Sequence, residues 1–163
     1  MIVKRAYGFS PIMVIAVLFS LFLFSIPATA QCYIYTGNST YSSDIAYTYD
    51  GEYLYEGRST YSSDIIYTFD GKCLYRGKSN YSSNILLTFD GEHVYRGRST
   101  YSSDILLTFD GRYIYEGNST YASDILYTVS GKYVYRGRST YTSDIVCTIE
   151  GYMPILVIIS VLQ

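Results

Sequence analysis

Gly57-Arg58-Ser59-Thr60-Tyr61-Ser62-Ser63-Asp64-Ile65-Ile66-Tyr67-Thr68-Phe69-Asp70-Gly71-Lys72-Cys73-Leu74-Tyr75-Arg76 decides the fold, because the chain repeats this unit six times at a fixed period of 20 residues. Gly37, Gly57, Gly77, Gly97, Gly117 and Gly137 open the units, each followed two residues later by Ser and four later by Tyr. No insertion disturbs the period. Within the units Asp50-Gly51, Asp70-Gly71, Asp90-Gly91 and Asp110-Gly111 lie between two β-rich runs, a strong short-range hairpin pattern. Ser130-Gly131 and Glu150-Gly151 hold the same places with weaker first residues.

A two-residue Asp-Gly turn would pair Phe69 with Lys72, Thr68 with Cys73, Tyr67 with Leu74 and Ile66 with Tyr75. Alternation then places Ile65, Tyr67, Phe69 and Leu74 on one face with Lys72 and Arg76, and Ile66, Thr68, Cys73 and Tyr75 on the other. Neither face is purely polar, and a lone hairpin is marginal in water. Closing the sheet fills an interior and removes exposed strand edges. The expectation is therefore all-β: a closed antiparallel barrel of six hairpin repeats, with about twelve short strands between Cys32 and Ile149. The composition fits, with 22 Tyr, 7 Phe and no Trp, since tyrosine favours strands and half-buried surfaces.

Outside the repeat the chain changes character twice. Residues 1–30 carry Lys4 and Arg5, an apolar run from Pro11 to Ile26 and a small-residue site at Ala28-Thr29-Ala30, which reads as a cleaved signal peptide. The alternative is an uncleaved membrane anchor. Gln31 separates Cys32 from that site, so Cys32 is not the first mature residue and lipidation is rejected. The protein is thus expected in the periplasm, cell envelope or extracellular space. Loss of Lys4 and Arg5 takes the net charge from −2 to −4, which leaves no electrostatic footprint for nucleic acid.

After the barrel repeat of residues 31–151, residues 152–163 are almost entirely apolar from Met153 onward. An exposed, uncharged, β-branched tail of this kind would aggregate. The vacant place for it is the middle of a ring of strands.

The Ser-Asp-Ile, Asp-Gly and Tyr-x-Gly units, ending in Gly151-Tyr152-Met153-Pro154-Ile155 and further apolar residues, resemble the bacterial β-flower proteins over Gly37 to Gln163. The resemblance implies a shallow symmetric barrel of hairpin petals, remotely similar to the tubby-like C-terminal fold, in which twelve strands surround a hydrophobic segment. By analogy with tubby and scramblase proteins it also implies membrane or lipid association. Two departures stand out: six unit markers against four or five petals, and no basic patch matching a phosphoinositide site.

The repeat sets like residues in rings. The acidic ring Asp44, Asp64, Asp104, Asp124 and Asp144, broken by Asn84, is read as local capping of each Ser-Ser-Asp turn rather than as a calcium site, which needs oxygens converging on one point. Two tyrosine rings, Tyr41 to Tyr141 and Tyr35 to Tyr135, are candidates for packing or for contact with sugars or a membrane interface. His93 is the single histidine and has no evident nucleophilic partner. Cys32, Cys73 and Cys147 form no metal motif, although ring closure offers a Cys32–Cys147 disulfide. Asn38, Asn80 and Asn118 open glycosylation acceptor triplets of the kind chance supplies in a Ser/Thr-rich chain. Strands of five to seven residues are too short for an outer-membrane barrel, which needs about 9–11.

No catalytic, cofactor or metal residue is assigned, and no ligand-binding residue is singled out. The expected function is a non-enzymatic, exported binding or structural module of the cell envelope, associated with membrane lipid. The alternative is an open hairpin array that binds cell-wall glycan through tyrosines.

Overall fold

A computed structural model describes residues 31–162; the segment read as a signal peptide and Gln163 lie outside the described residues. Twelve short antiparallel strands close into a barrel in chain order, with β1 (Cys32–Thr36) hydrogen-bonded to both β2 (Ile45–Tyr49) and β12 (Ile145–Glu150). Between them run β3 (Tyr53–Glu56), β4 (Ile65–Phe69), β5 (Cys73–Arg76), β6 (Ile85–Phe89), β7 (His93–Arg96), β8 (Ile105–Phe109), β9 (Tyr113–Glu116), β10 (Ile125–Ser130) and β11 (Tyr133–Arg136). No strand edge is left open, as the two half-apolar faces of each strand require. The open-array alternative is thereby set aside.

The turn register differs from the expected one by two residues. Phe69 faces Leu74, Thr68 faces Tyr75 and Tyr67 faces Arg76. The tight loop is Gly71-Lys72 rather than Asp70-Gly71. Gly71 has φ +98° and no non-glycine residue among the described residues has positive φ, which excludes type I′ and gives the sign pattern of type II′. Asp70 stands just before the loop because its Oδ1 accepts the N–H groups of Lys72 (2.9 Å) and Cys73 (2.6 Å). A shift of two preserves the parity of the strands, so the assignment of Tyr67, Phe69 and Leu74 to one face holds.

That face is the interior. Ile34, Leu54, Leu74, Val94, Ile114 and Val134 form a fully buried ring, with Tyr49, Phe69, Phe89, Phe109, Val129 and Ile149 towards the turn end. Pairing between successive hairpins carries a β-bulge each time: Leu54 faces Tyr67 and Tyr55 faces Ile65, leaving Ile66 unpaired. The extra residue rotates inward, so Ile66 joins the core cluster instead of the outer face predicted for it.

The outer face is polar and also buried. Each connection from an odd strand to the next even strand packs on it: Thr68 Oγ1 donates to Gly77 O at 2.7 Å, and five other threonines repeat the bond, the last from Thr148 to Gly37 across the ring seam. Each connection ends in a 3-10 turn such as Ser62–Asp64, which delivers the chain into the bulge.

The apolar tail occupies the centre. After Gly151 it passes Met153 and forms α1 (Ile155–Ser160), with Leu156, Val157, Ile158 and Ile159 buried against the interior rings. Tyr127 anchors its end by donating to Leu162 O at 2.9 Å. The pairing of β12 with β1 (Ile149 with Ile34, Thr148 with Tyr35) repeats the regular pattern found within the hairpins, so the seam is a hairpin whose turn is replaced by the two ends of the barrel.

Candidate functional site

The two ends of the barrel differ chemically. At the turn end stand Asp50, Glu52, Asp70, Asp90, Glu92, Asp110 and Glu150 against Lys72, Arg112 and Lys132. The opposite end is balanced, its Glu56, Glu116 and five local aspartates matching Arg58, Arg76, Lys78, Arg96, Arg98, Arg136 and Arg138. The whole net charge of residues 31–163 therefore lies at the turn end. The tail enters there and points its C-terminus at the balanced end.

The balanced end opens into an apolar concavity of about 850 Å3, lined by the bulge residues Ile66, Leu86, Leu106 and Leu126, with Ser160 of the plug at its floor. Leu87 and Leu107 line it where three of the other hairpins carry the bulkier Tyr47, Tyr67 and Tyr127 and the fourth carries Cys147. Arg76, Arg96 and Glu116, the last residues of β5, β7 and β9, form its rim. Among the described residues the one ion pair is His93 Nδ1 with Asp90 Oδ2 at 3.6 Å, so the two rim guanidinium groups are unpaired.

The residues singled out from sequence fall elsewhere. The acidic ring is locally engaged: Ser39 donates to Asp44 Oδ2 at 2.5 Å, Ser59, Ser99, Ser119 and Ser139 repeat the bond, and Asn84 donates to Ser79 in the unit that lacks the acid. The bond goes to a serine hydroxyl, not to the backbone N–H of a cap. These hydroxyls, with those of Ser43, Ser63 and Ser123, hold Asp44, Asp64 and Asp124 below the ordinary carboxylate value. No group of three His, Cys, Asp or Glu converges among the described residues.

The two tyrosine rings part ways. Tyr35, Tyr55, Tyr75, Tyr95, Tyr115 and Tyr135 are buried. The hydroxyls of Tyr55, Tyr75, Tyr95 and Tyr115 donate to the turn aspartates at 2.7 Å, and that of Tyr35 donates to Glu150 across the seam. This ring is structural. Tyr41, Tyr61, Tyr81, Tyr101, Tyr121 and Tyr141 are 72–77 % exposed on the connections and form an open belt.

His93 lies beside Tyr95 with ring centroids 6.0 Å apart, its Nδ1 3.6 Å from Asp90 Oδ2. Cys147 faces Thr36, at the far end of β1 from Cys32, and no disulfide joins the two. Cys32 instead donates to Tyr152 O at 3.1 Å, and burial pushes both thiols up, Cys147 to about 11. Asn38 and Asn118 are exposed in their connections.

Neither the mouth nor its rim was anticipated from sequence. The available sign was the departure from consensus at Leu87 and Leu107, which the repeat makes easy to see.

A closed ring of six hairpins around a C-terminal plug defines a class of symmetric β-barrel with radial petals. The chain matches the family model described as "6-fold beta flower protein" over residues 34–161 and belongs to that family, whose six-fold description accounts for the six units. No curated protein and no solved structure matches it.

Proposed function

We propose that this β-flower protein is a non-enzymatic, exported module of the cell envelope that associates with membrane lipid through the mouth of its barrel. The observation that carries this reading is the apolar concavity with two unpaired guanidinium groups on its rim, at the end free of net negative charge. Acyl chains fit the leucine-lined floor, and lipid phosphates fit Arg76 and Arg96, since guanidinium pairs with phosphate in a bidentate fork. The tyrosine belt adds amphipathic rings suited to a headgroup layer. Residues 1–30 support export through their basic start, apolar run and small-residue site.

Sedimentation of residues 31–163 with phosphatidylcholine vesicles, with and without phosphatidylglycerol, tests the reading. Binding that requires the anionic lipid and is lost in Arg76→Glu/Arg96→Glu is expected. Protein that stays in the supernatant at every composition overturns it. The exposure of Tyr41 to Tyr141 favours a second reading, glycan contact, for which retention on peptidoglycan in the absence of lipid is the distinguishing result.

A further inference from the structure

On the outer wall, one position breaks the repeat in a way that leaves a hole. Four units carry an aromatic ring at the first residue of the strand after the turn, Tyr53, His93, Tyr113 and Tyr133, and Tyr33 holds the equivalent place by the repeat in β1. Each lies 6.0–6.3 Å, centroid to centroid, from the tyrosine two residues on. In the remaining unit this residue is Cys73, and Tyr75 has no such partner. One unit earlier, Lys78 sits over the ring of Tyr53 with Nζ 5.8 Å from the centroid. Its equivalent by the repeat is Arg98, which here meets no ring.

The vacated place is a groove of about 450 Å3 between two connections, over β5 and β6. Lys72 and Arg98 line it together with Tyr75, and Asn80, Ser82, Thr88 and Thr100 supply amide and hydroxyl groups. No carboxylate lines it. The acid carried at the turn by the other units is here Asn84. Cys73 Sγ lies 3.6 Å from Thr88 Oγ1 at its base.

We infer that this groove binds an acidic sugar, a pyranose ring bearing a carboxylate or phosphate, in the place that a tyrosine or histidine ring fills in the other petals. The sugar ring takes the place of the missing aromatic ring beside Tyr75, which is itself only 8 % exposed and meets the ligand at its margin, as the other rings meet their tyrosines in tilted or edge contacts. Its charge meets Lys72 and Arg98, and its hydroxyls meet Asn80, Ser82 and Thr100. A neutral hexose lacks the charge, and a planar aromatic acid leaves the hydroxyl and amide groups of the groove unused. The site is on the outer wall and is independent of the mouth.

The test is NMR titration of residues 31–163 with glucuronate and with glucose 6-phosphate, against glucose and benzoate as controls. Saturable shifts at the amides of Ser82, Thr88 and Thr100 with either acidic sugar, in the millimolar range, are expected, with glucose and benzoate at least about tenfold weaker. Cys73→Tyr restores the residue found in four of the other units, so it folds and melts like the parent while filling the groove, and it abolishes the shifts. Arg98→Gln weakens them about tenfold. Absence of saturable shifts with both acidic sugars, or binding that survives Cys73→Tyr, overturns the site. Benzoate binding as tightly as the acidic sugars overturns the sugar assignment.

Discussion

At Gly151 the backbone has room for a hydrogen and nothing larger. Its φ is +88°, and a Cβ there would lie 2.7 Å from Cys32 Sγ and 3.2 Å from Cys32 Cβ. Gly111 has a similar φ of +97° but meets nothing within 4 Å. Gly111→Ala therefore measures the conformational cost alone, about 1–3 kcal/mol. Gly151→Ala adds a clash at the seam, so its melting temperature should fall clearly further; equal losses would mean that Cys32 yields freely. The turn residues also set the pH range. Asp90 is held down to about 2: burial works against the charge, but the N–H of His93, the Tyr95 hydroxyl and the N–H of Glu92 outweigh it. Its contribution is present above the ordinary carboxylate value of 3.8 and is lost as pH falls towards 2. Tyr35, through Glu150, Tyr55, through burial, and Tyr75, through Asp70, are raised to about 12. Their contribution is complete below pH 10 and is lost as pH rises towards 12. Melting temperature should thus hold level from about pH 5 to 9 and drop at both ends, with a shallower alkaline drop in Tyr75→Phe. An unchanged alkaline limb in that variant would remove the Tyr75–Asp70 bond from the account.

Among the elements, the strands were legible because glycine, aspartate and alternation mark them in every unit. The register was not. Asp-Gly favours type I′, but Asp70 has two backbone N–H groups and the Tyr75 hydroxyl to accept, and these draw it out of the loop into the position before it. Local preference lost to a side-chain network that depends on the register itself. The bulge at Ile66 escaped for a related reason: strict alternation has no place for an extra residue, and only closure of the ring demands the added twist. Burial of the tail was legible from its composition, its helical form less so, since Ile155-Leu156-Val157-Ile158-Ile159 is rich in β-branched residues. A closed barrel offers no free edge to a thirteenth strand, so the segment has to satisfy backbone groups within itself, as Val157 and Ile158 do by donating to Pro154 O at 3.1 and 3.2 Å. The outer-wall groove was hidden because Cys73 reads as a small packing residue until the five aromatic counterparts are seen side by side.

For the whole molecule the plug decides whether the ring stands. Met153, Leu156, Val157, Ile158 and Ile159 are each 7 % exposed or less. At about 1.5–3 kcal/mol per buried apolar side chain, together they represent about 10 kcal/mol, comparable to the 5–15 kcal/mol net stability of an ordinary domain. Without them, the rings at Ile34, Leu54, Leu74, Val94, Ile114 and Val134 would line a hollow and expose apolar surface to water. The strands, four to six residues long, are closed by hydrogen bonds whose net worth is small once water competes for them. Residues 31–151 alone should therefore show no cooperative melting by circular dichroism and should bind a hydrophobic dye. Leu156→Ala in the full barrel should lower stability by about 2–5 kcal/mol while leaving the fold intact. A truncated chain that melts within a few degrees of the parent would show that closure of the sheet suffices, and that the apolar segment is held by the barrel without holding it together.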